Sequence, residues 1–347
     1  MRAPLVRPRG GEIHRPTCYH RGVSLDFPSF QPRFPWWSGD LQTVANFLRP
    51  PSRDLAPHRS ERLVVDLQDG TGDRLVCTLD RPATPKAGTP LTILIHGLTG
   101  SQESLYVYSM ARRVLDEGGS VLRINLRGAG PSRATCSGQY YAGRSQDFRA
   151  LLARLPEELT KDGLRAVGYS LGGAMLLKYL GEEGSAAPLA AAASVCAPID
   201  LSVTCRNMRR PRNVIYHRHI LGLMKIEATA EGAVLSAAER AAILGSRSVW
   251  DYDEVFIAPR HGFGGAEDYY ERCKPLRFMA GIRVPTLVIG AMDDPWIPGA
   301  LYRDYDWAAN AALVPLLPEH GGHVGFHGAD SRQPWSDRAV MRFFQHG

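Results

Sequence analysis

The chain has 347 residues, 44% of them hydrophobic and 22% charged. Those values exclude wholesale disorder, collagen and coiled coil, and the length suits one large domain with additions or two small ones. The longest nearly apolar stretch, Pro188–Ile199, is far short of the roughly 20 residues that a membrane helix needs. The net charge of +6 is too mild to mark a nucleic-acid binder, and no nucleic-acid partner is expected. It leaves open peripheral contact with an anionic lipid surface. The six cysteines form no Cys-x-x-Cys pair and are scattered, so reduced thiols are expected rather than a disulfide framework or a zinc site. The Arg-rich N-terminus lacks an apolar run of signal-peptide length, which points to a cytoplasmic protein.

Residues 1–55 are rich in Pro, Arg and aromatics, with Phe27, Phe30, Phe34, Trp36 and Trp37 close together. They read as an irregular arm that lays aromatics on the body, with one short helix near Asp40–Phe47. Two alternating runs follow, Glu61–Gln68 and Arg74–Leu79, separated by Asp69-Gly70-Thr71-Gly72. That is a hairpin pattern. A strand–helix rhythm then begins. Strands are predicted at Leu91–Ile95, Ser120–Asn125, Leu164–Tyr169 and Leu189–Ala197. Helices are predicted at Ser104–Glu117, Gln146–Leu155 and Gly172–Leu180, the last ending at Gly181. Such alternation implies βαβ units and a parallel sheet covered on both faces. Residues 200–275 break the rhythm with helical pieces and no apolar strand, as a lid over a site would. Strands at Pro285–Ile289 and Ala312–Leu317 and a closing helix at 335–345 resume it. The expected division is thus an arm at 1–55, a core at 56–199 and 276–347, and a lid at 200–275.

Gly168-Tyr169-Ser170-Leu171-Gly172 is the sharpest motif. Gly-x-Ser-x-Gly is weak by itself, but here it ends a predicted strand and opens a predicted helix. That is the setting of a nucleophile elbow, where a strained turn exposes the serine at a helix N-terminus. A serine hydroxyl needs a base, and in this fold the chain order is serine, acid, histidine. Asp293-Asp294-Pro295-Trp296-Ile297-Pro298 follows a predicted strand, and the spacing to Ile297-Pro298 selects Asp294 over its neighbour Asp293. After the last strand, Glu319-His320-Gly321-Gly322-His323 offers two histidines. His323 lies in the glycine-flanked loop and is the expected base, with His320 the competitor. The spacing of His320, His323 and His327 also resembles a metal ligand set, but no further ligands cluster nearby, and no metal or cofactor is expected. An oxyanion hole needs two backbone donors. The expected pair is the N–H of Leu171, after the nucleophile, and of Leu98, in the loop His96-Gly97-Leu98-Thr99-Gly100. His96 and Arg127 are expected to brace loops rather than to react.

Together these residues resemble the α/β-hydrolase fold, and finer stretches are similar to its YheT-like branch, kin to the abhydrolase-domain lipases. Those stretches include Trp37-Ser38-Gly39-Asp40-Leu41-Gln42-Thr43, Arg127-Gly128-Ala129-Gly130, and Pro259 to Tyr270. The resemblance implies Ser170 as nucleophile, one of the Asp293/Asp294 pair as acid, and His323 as base. It implies esters or acyl lipids as substrates, cleaved by water or transferred to an alcohol. A binding protein on the same scaffold is the more distant alternative. One departure stands out: the branch usually has His where this chain has Asp40.

Overall fold

The computed structural model describes residues 17–20, 23–48, 50 and 52–346. Strands β1 (Thr17–His20) and β2 (Val23–Asp26) form an antiparallel hairpin in the arm, which was expected to be irregular there. The arm helix α1 (Gly39–Leu48) lies where it was expected. Next come β3 (Arg59–Asp66), β4 (Arg74–Arg81) and β5 (Leu91–Ile95), then α2 (Leu105–Asp116), β6 (Val121–Ile124), α3 (Ser145–Leu152) and the single turn α4 (Glu157–Thr160). Then β7 (Leu164–Tyr169), α5 (Leu171–Glu183) and β8 (Ala191–Val195) follow.

The insertion after β8 carries α6 (Leu201–Met208), α7 (Val214–Ala228), α8 (Ala237–Gly245), short α9 (Val249–Tyr252), a π turn, short α10 (Ala258–Arg260) and α11 (Ala266–Cys273). The chain closes with β9 (Thr286–Ile289), α12 (Ala300–Arg303), β10 (Leu313–Leu316) and α13 (Trp335–Phe344).

Strands β3 to β10 form one sheet in the order β10-β9-β8-β7-β5-β6-β4-β3. The pairs from β6 through β5, β7, β8 and β9 to β10 are parallel, and β4 and β3 join antiparallel at one edge. Every residue of β5, β6, β8 and β9 is buried, as the continuous apolar runs require when helices cover both faces. All the parallel strands therefore present their carboxyl ends along one edge. Loops leaving that edge carry Ser170, Cys196, Asp294 and His323.

The helix after the serine does not stop at Gly181 but runs on to Glu183. Gly181 is present for space: a Cβ there would overlap the Phe278 carbonyl of the segment leading to β9. A packing glycine in a helix interior mimics a stop signal when only the sequence is read.

Arg127, after β6, is only 1% exposed. Its guanidinium reaches Asp147 Oδ1 and Oδ2 at 2.7 and 2.9 Å, Asp73 Oδ2 at 2.6 Å and Asp69 Oδ2 at 2.5 Å. The hairpin turn after β3 is thereby tied to α3 and to the loop after β6. Burial alone would raise the Asp69 pKa, but hydrogen bonds from Thr71 and Arg127 outweigh it and hold it at about 2. Arg127 thus acts as a brace, as expected.

Two outcomes follow from this packing. Gly181→Ala gains helix propensity of up to about 1 kcal/mol. It is nevertheless expected to lower the unfolding free energy by about 1–3 kcal/mol through overlap with Phe278, read from urea midpoints. Arg127→Met leaves three carboxylates around an apolar tip and is expected to cost about 3–5 kcal/mol in the same assay. Arg127→Lys, which keeps the charge but loses the planar fork, should fall between that variant and the wild type.

Candidate active site

Ser170 sits between β7 and α5 with φ 50° and ψ −119°, a conformation that costs a non-glycine residue about 1–3 kcal/mol. Its N–H donates to the Val195 carbonyl at 2.8 Å, which ties the turn to β8. The strand and helix close on each other so tightly that a Cβ on Gly168 would lie 2.5 Å from the Gly172 carbonyl. One on Gly172 would overlap the His96 carbonyl at the end of β5. The glycines of the motif are therefore required by contact as well as by the turn.

Ser170 Oγ lies 3.0 Å from His323 Nε2, and His323 Nδ1 lies 2.8 Å from Asp294 Oδ2. The carboxylate only accepts, so Nδ1 carries the proton and Nε2 is left to accept from the serine hydroxyl. Asp294 and His323 are each 7% exposed. The other Asp294 oxygen accepts the N–H groups of Trp296 and Ile297 at 2.8 and 3.1 Å, an Asx turn that fixes the carboxylate.

Asp293 takes a different place. Its Oδ1 accepts the Gly322 N–H at 2.9 Å and its Oδ2 meets His320 Nδ1 at 3.0 Å. It binds the acid loop to the histidine loop and does not touch His323 through its side chain. His327 faces neither, since its ring lies beside Trp36 and burial pushes its pKa down to about 4. The three histidines do not converge.

Cys196, Asp294 and His323 do place one ligand atom each within 4.8 Å of one another. Yet Asp294 and His323 are already engaged with each other. Burial raises the Cys196 thiol well above its usual pKa, so it stays a neutral thiol, accepting the Val324 N–H at 3.4 Å. The five cysteines with described side chains, Cys77, Cys136, Cys196, Cys205 and Cys273, are free and buried. Cys18 lies outside the described side chains.

The two expected backbone donors flank the serine. Leu171 is the first residue of α5, where an intrahelical acceptor is lacking by construction. The loop bearing Leu98 touches the serine, for a Cβ on Gly97 would lie 3.1 Å from Ser170 Cβ. Neither Leu98 N nor Leu171 N has a hydrogen-bond acceptor among the described residues. His96 is fully buried, and burial pushes its pKa down to about 4. Its neutral ring donates from Nδ1 to the Gly97 carbonyl at 2.8 Å and accepts the Leu126 N–H at 3.1 Å. It braces the loop, as expected.

The arm explains its own motif. Gln42, fully buried, donates to the Trp36 carbonyl and accepts the His327 N–H at 2.7 Å. Thr43 Oγ1 accepts the His323 N–H at 2.9 Å and donates to the Gly39 carbonyl at 2.7 Å. Gly39 abuts Asp293, where any Cβ would overlap the backbone carbonyl. One face of α1 thus clamps both the acid and the base loops. Asp40 points the other way, toward the insertion. It accepts from Arg212 Nη2 at 2.9 Å and from the Tyr216 hydroxyl at 3.0 Å.

Several site residues carried no sequence signal. The Trp296 ring stacks on the His323 imidazole, with centroids 4.2 Å apart and planes at 30°. Tyr216 packs edge-on against Trp296 at 5.8 Å. The amides of Asn207 and Asn213 donate to the Pro295 carbonyl at 3.0 and 2.8 Å, so the insertion grips the acid loop. Spacing along the chain could not reveal these contacts, because each joins segments far apart in sequence.

Comparison with known proteins agrees with this architecture. A family profile described as the α/β hydrolase fold matches residues 90–330. YheT of Escherichia coli, an inferred esterase by name, is 31% identical over 260 residues, covering 71% of this chain and 73% of that protein. The medium-chain fatty acid ethyl ester synthase/esterase 2 of Saccharomyces cerevisiae is 28% identical over 281 residues, covering 74% of this chain and 62% of its own length. A solved esterase of Pyrococcus furiosus shares the fold, with a TM-score of 0.56 at 14% identity over 84% of this chain and 94% of that one. By profile, sequence and topology, the chain belongs to the α/β-hydrolase family, among the relatives of YheT.

Proposed function

We propose that the chain is a serine hydrolase of carboxylic esters or acyl lipids. The observation that carries this reading is the continuous Ser170–His323–Asp294 contact, at 3.0 and 2.8 Å, on a strained strand-to-helix turn. His323 Nε2 takes the Ser170 proton as Oγ attacks the ester carbonyl. Asp294 holds the imidazole in the required tautomer and stabilises its cation. The stacked Trp296 face adds attraction for that cation. The Leu98 and Leu171 N–H groups receive the oxyanion. His323 then returns the proton to the leaving alcohol, and the acyl group remains on Ser170. Water, deprotonated by His323, attacks the acyl-enzyme. The acid leaves and Ser170 Oγ regains its proton. No step calls for a metal or an organic cofactor.

An alcohol in place of water would make the same acyl-enzyme a transferase intermediate. The name of the yeast relative, which pairs ester synthesis with esterase activity, favours keeping that second reading. The insertion, 200–275, serves here as the lid over the acyl pocket. Its Arg206, Arg209, Arg210, Arg212 and Arg218 are all exposed, as are Ile215 on α7 and Phe47 on the adjoining arm helix. Basic and apolar side chains side by side support contact with an anionic lipid surface. Among the described residues, no helix is long and apolar enough to cross a membrane.

Hydrolysis of p-nitrophenyl esters from acetate to palmitate tests the reading. Ser170→Ala is expected to lower turnover at least about 100-fold with an unchanged circular dichroism spectrum, and residual activity above about 1% overturns the assignment. Asp294→Asn is expected to lower kcat by about 10⁴, as loss of the orienting carboxylate does elsewhere. Asp293→Asn, one residue away, should lose less than about 10-fold. Ester formation on adding ethanol or glycerol would establish the transferase reading.

A further inference from the structure

The turn that carries the Leu98 N–H is braced from outside itself. Of the five consecutive N–H groups from Gly97 to Ser101, four are engaged. Gly97 donates to the Tyr106 hydroxyl at 2.9 Å and Thr99 to the Tyr140 hydroxyl at 2.8 Å. Gly100 donates back to the Gly97 carbonyl at 3.1 Å, and Ser101 to Ser104 Oγ at 3.1 Å. Only the Leu98 N–H, between the two tyrosine-bound ones, is left over. Thr99 holds φ 58°, a left-handed conformation that a β-branched residue rarely adopts and that surrounding contacts must maintain. A relaxation at Thr99 would turn the Leu98–Thr99 peptide and shift the adjoining Leu98 donor with it.

The Tyr140 hydroxyl accepts from Thr99, so its single proton must go elsewhere. It goes to Glu227 Oε2 at 2.8 Å. Glu227 stands in the last turn of α7, in the insertion, where a carboxylate opposes the helix dipole. Burial pushes its pKa up to about 7, and the titratable groups that face it are Tyr140, Arg133 and Tyr252. Neither helix stability nor solvation accounts for an acid at that position. Its contact with Tyr140 does. The Tyr140 ring is itself fixed edge-on against His96, at 6.1 Å and 89°, so its hydroxyl has little freedom to follow a different partner.

We propose that Tyr140 and Glu227 are positioning residues through which the insertion sets the oxyanion turn. Glu227 orients the Tyr140 hydroxyl, and that hydroxyl holds the Thr99 N–H so that the Leu98 N–H faces the reacting carbonyl oxygen. This rests on the hydrolase reading above. Its consequence is that the second oxyanion donor is in place only while α7 is seated on the core. Displacing α7 parts Glu227 from Tyr140 and releases the brace.

The test is ester turnover per active serine, with active serines counted by fluorophosphonate titration. Tyr140→Phe keeps the ring against His96 and is expected to lower kcat about 10–100-fold, with KM within about twofold. Inhibition by a trifluoromethyl ketone, which forms a tetrahedral adduct, should weaken by a similar factor. Glu227→Leu should reproduce that loss, and Glu227→Gln, which retains an acceptor toward Tyr140, should restore most of kcat. The double variant Tyr140→Phe/Glu227→Leu should be no worse than either single one, because both break one chain of contacts. A merely structural role would reduce the count of active serines and the melting temperature while leaving kcat per titrated serine unchanged. That result in either Tyr140→Phe or Glu227→Leu overturns the inference and leaves the hydrolase reading standing. Absence of Ser170-dependent turnover in the wild type overturns both.

Discussion

A serine held at φ 50° and ψ −119° is the constraint on which this molecule is arranged. No L-residue chooses that conformation unaided. It persists because β7 and α5 are pressed together across Gly168 and Gly172, and because β8 captures the Ser170 N–H. The buried parallel sheet behind the turn contributes the rigidity that a strained residue needs. In return the turn lifts the hydroxyl clear of the strand and aims it at the loops on the same edge. The strain is local, and the structure that maintains it extends across the sheet.

The acid and base loops obey a second rule, which is that neither is held by its own strand alone. Asp293 ties the acid loop to the Gly322 N–H, and Thr43 on the arm helix ties the His323 N–H to α1. The insertion grips Pro295 through Asn207 and Asn213. Asp40 then joins the arm to the insertion through Arg212 and Tyr216. His323 therefore sits within a ring of contacts drawn from arm, core and insertion. Trp296 completes it by covering one face of the imidazole. A base fixed in this way loses little entropy on reaching the geometry of proton transfer.

The same principle governs charge. Where carboxylates gather around Arg127, the guanidinium fork satisfies them together, and hydrogen bonds from Thr71 and Arg127 keep the Asp69 pKa at about 2. Where a carboxyl is buried with a phenol as its hydrogen-bond partner, as with Glu227 and Tyr140 or Asp253 and Tyr270, burial raises its pKa to about 7. The first braces the fold, and the Glu227–Tyr140 pair links the insertion to the oxyanion turn.

The sequence by itself determined the sheet and its edge. Apolar runs such as Leu91–Ile95 and Leu164–Tyr169 read directly as buried strands, because burial on both faces leaves no polar alternation to confuse them. Ser170, Asp294 and His323 were legible as candidates because each lies on or in a loop after a strand, in the chain order serine, acid, histidine that the fold implies. Gly181 misled, because a glycine kept for contact with Phe278 looks the same in sequence as one that ends a helix. The β1–β2 hairpin did not stand out because each of its strands is only four residues long, too short for an alternation to be distinctive. What only the tertiary structure decided were the contacts that join distant segments: Thr43 to His323, Trp296 on the imidazole, Arg127 among three aspartates, and Glu227 to Tyr140. Spacing reports only neighbours along the chain. These partners become neighbours when the arm and the insertion fold back over the carboxyl edge of the sheet, and no periodicity records that return.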